Sequence, residues 1–310
     1  MDKVLYPATG FTKGDLLNYY RQVAPALLPH LAGRPVTLKR FPDGVDKVSF
    51  YEKNCPSHRP PWVSTVEVPS SAAGHASVRY CTVEDLATLV WMANLAAIEL
   101  HPLLARAQPS PTAGDPTSAD VTPHSCVDEP TVVAFDLDPG PPAGLAECSQ
   151  VACWLREMLE DLGLASFPKT SGSKGLQVYV PLNTPHSYDD TKPFAHALAR
   201  LLERHHPNQV VERMAKSLRS GKVLIDWSQN HHSKTTVSVY SLRALGRPTT
   251  STPLTWDEVE EVCSGGNPEQ LRFEAAQVLD RVERFGDLFA PVLQLQQHLP
   301  DASGAPLVGD

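Results

Sequence analysis

The sequence predicts an α/β protein of the α+β kind: a mixed or antiparallel central sheet with flanking helices, in two sub-lobes. Three observations lead there. Apolar positions recur at helical spacing in several long stretches. Between them lie short β-branched and aromatic runs bounded by turn residues. The two kinds of segment also follow each other without the strict strand–helix–strand rhythm of a parallel sheet. A length of 310 residues suits one large domain or two lobes.

The helices come first. Thr12, Lys13, Gly14 and Asp15 form a capping-box pattern. It opens a helix whose apolar stripe runs through Leu16, Tyr19, Tyr20, Val23, Leu27, Leu28 and Leu31, stopped by Gly33 and Pro35. Thr82 to Asp85 is a second cap, and its helix is expected to run through Trp91, Leu95 and Ile98 to Pro102. Further helices are expected over 146–162, 190–205 and 268–285, and strands over 36–41, 47–52, 63–68, 131–138, 176–180, 223–227 and 236–240. Residues 106–130, rich in Pro, Ser, Thr and Asp, read as an irregular linker. The expected organisation is therefore an N-terminal lobe over 1–105, that linker, a second lobe over 131–290 and a C-terminal tail over 291–310.

Composition narrows the function classes. Hydrophobic residues make up 42% and charged residues 20%, ordinary for a globular protein. No apolar run approaches the roughly 18 residues of a membrane span, and the first residues lack a signal-peptide core, so a cytoplasmic protein is expected. The six cysteines, at 55, 81, 126, 148, 153 and 263, form no CxxC pair. They read as reduced thiols, against a zinc site or a disulfide framework.

The net charge of −8 is unpromising for a nucleic-acid enzyme, but its distribution is uneven. Residues 251–310 hold eleven acids against three bases and so account for all of it. Residues 213–247 hold seven Lys and Arg against the single acid Asp226. A local basic stripe of that kind can bind phosphates whatever the global sign.

The strongest local signal is Val132-Val133-Ala134-Phe135-Asp136-Leu137-Asp138-Pro139-Gly140. An apolar run carries two carboxylates to a strand end, and positions i and i+2 of a strand share a face. Anions held that close call for a cation or a proton between them, and hard oxygen ligands suit magnesium or manganese. Val223-Leu224-Ile225-Asp226-Trp227 delivers a third carboxylate in the same way. Three carboxylates at two strand ends could hold two ions. The same hhhhDxD pattern suits phosphatases of the haloacid dehalogenase type, whose motif usually lies near the N-terminus with a further acidic pair behind it; neither holds here. Between the acidic strands lies Thr170-Ser171-Gly172-Ser173-Lys174-Gly175, a small-residue turn that could offer backbone N–H groups, hydroxyls and one charge to a phosphate. With Arg213, Lys216, Arg219, Lys222, Lys234 and Arg243 it describes a triphosphate site.

Taken together, Asp136-Leu137-Asp138-Pro139-Gly140, Ser171-Gly172-Ser173-Lys174-Gly175 and Asp226-Trp227-Ser228-Gln229-Asn230 resemble the polymerase domain of bacterial ligase D, in the archaeo-eukaryotic primase superfamily. The similarity runs from Asp2-Lys3-Val4-Leu5-Tyr6-Pro7 to about residue 290. It includes Lys39-Arg40-Phe41-Pro42-Asp43-Gly44-Val45, Phe50-Tyr51-Glu52-Lys53, Lys216-Ser217-Leu218-Arg219 and Ser233-Lys234-Thr235-Thr236. The resemblance implies a primase–polymerase fold and an enzyme that fills short gaps, inserting ribonucleotides, in bacterial DNA end joining. By resemblance, Asp136, Asp138 and Asp226 would be catalytic and bind two manganese or magnesium ions. Lys39, His101, Ser171, Lys174, Gln229 and Arg243 would contact the incoming nucleoside triphosphate. Lys216 and Arg219 would lie on a primer and triphosphate loop. Phe50 and Tyr51 would stack on the template with Lys53 beside them, and Lys3 and Lys13 would hold the 5′-phosphate of gapped or broken-end DNA. A separate DNA ligase and Ku are the implied partners, and the location a bacterial cytoplasm, at the nucleoid.

The chain departs from the family's pattern. Gln177 stands where the family usually has His; it can donate a hydrogen bond but carries no proton charge. No Lys-x-Asp-Gly adenylation motif occurs, so a ligase activity is not expected and the chain reads as a stand-alone polymerase or an excised domain. The competing reading is a catalytically weak module that grips gapped DNA and recruits a ligase. Gln177 favours it and the three Asp residues oppose it.

Overall fold

The computed structural model describes residues 1–70, 77–109 and 125–300. The chain divides into two compact units, one of residues 1–129 and 232–248, the other of 130–231 and 249–310. The expected lobe boundary near 130 is close to this division, but 232–248 groups with the N-terminal unit and not with the 131–290 lobe. Most of the expected linker, 110–124, and the last ten residues of the expected tail lie outside the described residues.

In the first unit, β1 (Val4–Tyr6) and β2 (Phe11–Thr12) pair and lead into α1 (Lys13–Leu31), whose capping box of Thr12 and Asp15 forms as expected. The sheet is built from β3 (Val36–Arg40), β4 (Phe50–Glu52), β5 (Thr65–Pro69) and β6 (Ser77–Cys81). After α2 (Leu86–Asn94), β7 (Ala97–Pro102) pairs antiparallel with β3. β8 (Gln108–Pro109) and β9 (Ser125–Cys126) form a small separate pair.

The expected helix to Pro102 thus stops at Asn94, its N-cap being Asp85, which accepts from the Thr88 N–H. Ala96 has a φ of 58°, a conformation that ends a helix, and the next six residues are all buried in the sheet. Lys47, Val48 and Ser49 stay outside β4. The expected strand 236–240 is an irregular segment laid along β7, with Thr236 N donating to Pro102 O (3.2 Å) and Ser238 N to Leu100 O (2.9 Å). Tyr240 at φ 63° turns it away. Three buried tyrosines explain why this segment returns to the first unit. The hydroxyls of Tyr6 and Tyr19 donate to Arg243 O (2.9 Å) and Tyr240 O (2.7 Å), and that of Tyr20 accepts from Leu242 N (3.3 Å). A buried phenol needs such a partner.

The expectation of six reduced thiols fails at one pair: Cys55 and Cys81, with Cα atoms 5.0 Å apart, are disulfide-bonded. Cys55 N donates to Arg79 O, which draws the loop after β4 against β6. A separation of 26 residues gave no spacing signal for it.

The second unit holds β10 (Val132–Pro139), α3 (Leu145–Asp161), β11 (Phe167–Thr170), β12 (Leu176–Pro181), α4 (Tyr188–His205), β13 (Val210–Val211) and β14 (Val223–Asp226). Then come α5 (Trp256–Cys263), α6 (Ala275–Phe285) and α7 (Pro291–Gln294). The strand order is β11-β12-β10-β14-β13, antiparallel except for β13 beside β14. The expected helix 268–285 is two pieces, a 3-10 turn Pro268–Leu271 and α6, because the intervening chain bridges to Thr249–Thr250. α5, with its capping box of Thr255 and Glu258, adds a helix beyond those expected. Part of the expected tail is packed: the Gln297 amide bonds Ala165 and Pro181, and Leu299 is buried.

One face of this sheet is apolar. Val133, Phe135 and Leu137 of β10, Leu176, Val178 and Val180 of β12, and Val223 and Ile225 of β14 form a continuous core with α3 and α4. The period of two then sends Asp136, Asp138, Gln177 and Asp226 to the other face. Among the described residues, no helix is long and apolar enough to cross a membrane.

Candidate active site

In the second unit, Asp136 of β10 stands directly opposite Asp226 of β14, and Asp138 lies two residues along β10 on the same face. Asp136 is partly exposed and Asp138 exposed. Burial raises the Asp136 carboxyl; the hydrogen bond from Gln177 opposes that, while Asp226 raises it again, Lys169 lowers it and Asp138 raises it, leaving about 6. Each carboxylate has a partner of its own. Gln177 Nε2 donates to Asp136 Oδ1 (3.0 Å), Arg219 pairs with Asp138 (3.3 Å), and Ser228 and Gln229 hold the two oxygens of Asp226. In this arrangement no three His, Cys, Asp or Glu side chains among the described residues stand ready to hold a metal ion. The donor set nonetheless fits one: three hard carboxylates share a face, and the repulsion felt by Asp136 is what a divalent cation would relieve.

The Asp226-Trp227-Ser228-Gln229-Asn230 motif works as one device. The backbone leaves β14 for a 3-10 turn over Trp227–Gln229. Ser228 N and Oγ donate to Asp226 Oδ1 (2.9 and 2.6 Å), and Gln229 Nε2 to Oδ2 (3.0 Å). Trp227 stacks on His196 at 3.8 Å and donates to Glu212 O, fastening the turn to α4. Asn230, fully buried, accepts from Ala134 N (2.9 Å) and donates to Ala134 O (2.8 Å). Its side chain thus supplies the rung that the departing backbone no longer makes.

Two of the three motif glycines answer to close backbone approach. A Cβ on Gly140 would lie 1.9 Å from Arg219 O, and one on Gly175 1.9 Å from Leu137 O. Gly140 lets the 216–222 segment close on β10, with Gly140 N donating to Lys222 O and Gly221 N to Gly140 O; this is how Arg219 reaches Asp138. Gly140→Ala is expected to destabilise the unit by about 1–3 kcal/mol, the usual range for overpacking, and to impair activity by displacing Arg219. Chemical denaturation and an extension assay would show it, and wild-type values in both would exclude the contact.

The 170–175 turn differs from expectation. Ser171 Oγ accepts from Ser173 N and Gly175 N, both at 3.2 Å, and Gly172 N donates to Thr170 Oγ1 (3.3 Å). These N–H groups shape the turn itself rather than facing outward, and Lys174 is its exposed charge. Lys216 is exposed on a 3-10 turn. Of the basic run, Arg213 pairs with Glu203 (3.7 Å) and Lys222 donates to Pro207 O.

In the first unit, Lys39, His101 and Arg243 converge on Glu99, which sequence reasoning missed. Glu99 lies opposite Lys39 across β3 and β7 and is 2% exposed. It meets Lys39 Nζ at 3.7 Å, His101 Nε2 at 2.9 Å and Arg243 Nε at 3.4 Å. Burial would raise its carboxyl, but the His101 hydrogen bond, the Arg243 guanidinium and the Ala244 N–H outweigh that and hold it at about 2. Burial also lowers the His101 imidazole below its usual 6.5, against the pull of Glu99, with Arg243 and Lys39 adding to the lowering. The one available signal was alternation: Glu99 and His101 are i and i+2 of a strand whose apolar residues also suit a helix.

Tyr51 lies on this face, edge-on to His101 at 5.8 Å and under Lys39 Nζ at 5.3 Å. Phe50 is its strand neighbour and points the other way, beneath Arg40. Both rings are exposed, and they do not form one platform. Lys53 is exposed beyond the strand. Lys13 N donates to Lys3 O (2.8 Å), and Lys3 Nζ to Asp43 (2.8 Å). Gly14 N and Asp15 N are bonded to Met1 O and Thr12 Oγ1, so these first helix N–H groups are already engaged and are not open to a phosphate.

The family described as "LigD, primase-polymerase domain" matches residues 12–289. The chain belongs to that family. It is 41% identical over 314 residues to the multifunctional non-homologous end joining protein LigD of Mycobacterium bovis, covering 98% of this chain and 39% of that protein. The bifunctional non-homologous end joining protein LigD of Bacillus subtilis is 29% identical over 290 residues, covering 92% of this chain and 42% of that protein. The chain therefore spans well under half the length of these relatives. Among solved structures, the polymerase domain of Mycobacterium tuberculosis ligase D in complex with DNA superimposes with a TM-score of 0.85 at 40% identity, over 94% of this chain and 96% of that one. The LigD polymerase fold is thus the fold of this chain.

Proposed function

We propose that this chain is a template-directed primase-polymerase that fills short gaps in broken DNA, inserting ribonucleotides by two-ion nucleotidyl transfer. The observation that carries the reading is the row of Asp136, Asp138 and Asp226 on one sheet face, in a chain of this family. Manganese or magnesium bound there would polarise the α-phosphate of a nucleoside triphosphate and lower the pKa of the attacking 3′-hydroxyl. The three aspartates would hold the ions, with Gln177 and Gln229 fixing the carboxylate orientations. Arg219 and Lys216 would receive the triphosphate or primer end, and Lys174 would add a charge beside them. In the first unit, Lys39, His101 and Arg243 would meet the nucleotide, and Tyr51 the template. DNA as a partner is supported by the M. tuberculosis domain, described in complex with DNA. A role beside a separate ligase and Ku follows from the end-joining relatives and belongs to the proposal.

The test is extension of a 5′-phosphorylated gapped duplex with ribonucleotides or deoxyribonucleotides, each with manganese or magnesium. Preferential ribonucleotide insertion is expected. Equal or reversed preference would remove the sugar assignment, and gap binding without extension would restore the binding-module reading.

Lys3→Ala/Lys13→Ala is expected to weaken binding to that gap roughly tenfold, the effect of removing one or two charge-assisted hydrogen bonds, and to spare a gap ending in 5′-hydroxyl. The preference should shrink as salt rises. Wild type binding both gaps alike would show these lysines to be surface charges only.

A further inference from the structure

Four adjacent strands carry one polar residue each in a single line across the sheet. Lys169 of β11 is in register with Gln177, Gln177 with Asp136, and Asp136 with Asp226. Opposed residues of paired strands share a face, so a cation, an amide and two carboxylates stand in sequence. The cation is unusual. Lys169 is fully buried, a state lysine almost never adopts. Its ammonium donates to Ser251 Oγ (2.7 Å), whose hydroxyl donates in turn to Thr170 O (2.8 Å), and it faces the Tyr179 ring at 5.4 Å. Gln177 gives its N–H to Asp136, and its Oε1 is buried without a hydrogen-bond partner. The positive end of the amide dipole therefore faces the carboxylates, in the same sense as the field of Lys169.

We propose that Lys169 is a positioning residue, a resident counter-ion that steadies the carboxylate row and weakens its hold on a divalent ion. The proposal rests on the reading that this row binds such ions. A buried charge in the sheet repels an incoming cation whatever else the site does, so the bound ion remains exchangeable. Two inter-strand spacings put Lys169 about 10 Å from Asp136. At that distance a single and a double positive charge, even with the screening of water, change binding about fourfold, and less screening enlarges the effect.

The experiment titrates manganese alone into the full chain, without DNA or nucleotide, and reads free manganese by electron paramagnetic resonance. Wild type should bind, and Asp136→Ala and Asp226→Ala should lose that binding; if they do not, the metal reading itself fails. Given that binding, Lys169→Met should bind manganese at least about fourfold tighter, and Lys169→Arg should stay at the wild-type value. Lys169→Gln repeats the neutral substitution with a polar partner left for Ser251, should methionine not fold. Thermal unfolding of every variant identifies the folded ones. A structural lysine would change the unfolding temperature and leave the affinity alone. Unchanged or weaker manganese binding in a folded neutral variant overturns the proposal.

Discussion

Asp136→Ala, Asp138→Ala and Asp226→Ala are each expected to lower nucleotide addition by about a thousandfold or more, the scale of several kcal/mol of lost charge stabilisation. Binding to gapped DNA should change little, since none of the three is a cation that a phosphate would seek. The variants should differ in stability. Asp136→Ala removes a carboxyl that burial, with the neighbouring Asp226 and Asp138 charges, raises to about 6, at the expense of the Gln177 hydrogen bond. Asp226→Ala strands Ser228 and Gln229, which point at it, and should be the least stable. Asp138, half exposed and paired with Arg219, should be nearly neutral. Single-nucleotide extension, gel-shift titration and thermal unfolding on the same preparations separate these effects. Wild-type extension by any one variant removes that residue from the catalytic set.

The second large effect is on folding. Glu99→Ala is expected to cost about 3–5 kcal/mol, the range for removing one partner of a buried ion pair, because Lys39, His101 and Arg243 would be left crowded around an empty place. Glu99→Gln, which keeps the shape, should cost less. The acid limb of the stability curve carries the same signature. The folded carboxyl sits at about 2 against 4.5 when free, so its stabilisation, on the order of 3 kcal/mol, is full above pH 4.5 and is lost as pH falls toward 2. His101 acts earlier in the same direction. Its imidazole is depressed below 6.5, so the unfolded chain takes up that proton first as pH drops. Denaturation from pH 7 to 3 should therefore show a slope in wild type that flattens below 4.5 in Glu99→Gln. An equal slope in both proteins would detach Glu99 from acid stability.

What could be read from the sequence was what local periodicity controls. The capped start of α1, the apolar strands β10, β12 and β14 and the carboxylates at their ends all follow from residue order within a few positions. What escaped depends on distant chain. Leu95 to Pro102 is apolar enough for either a helix or a strand, and the choice was made by pairing with β3 and by Ala96 at φ 58°. A helical reading of that stretch conceals Glu99, whose partners come from residues 39, 101 and 243. The segment 236–240 has strand composition, but tyrosine hydroxyls from α1 and β1 hold it as irregular chain. The composition of the 170–175 turn suggests N–H groups offered outward; residue order could not show that Ser171 and Thr170 would consume them. The Cys55–Cys81 bond was invisible for the same reason.

Asn230 carries a further consequence. Its amide imitates a peptide group, one acceptor and one donor facing the N–H and C=O of Ala134. A carboxylate at that position has the same outline and no donor, so its second oxygen would face the Ala134 carbonyl, lone pair against lone pair, in a fully buried place. Asn230→Asp would therefore unpick the strand that presents Asp136, so the carboxylate row depends on an amide with no chemistry of its own.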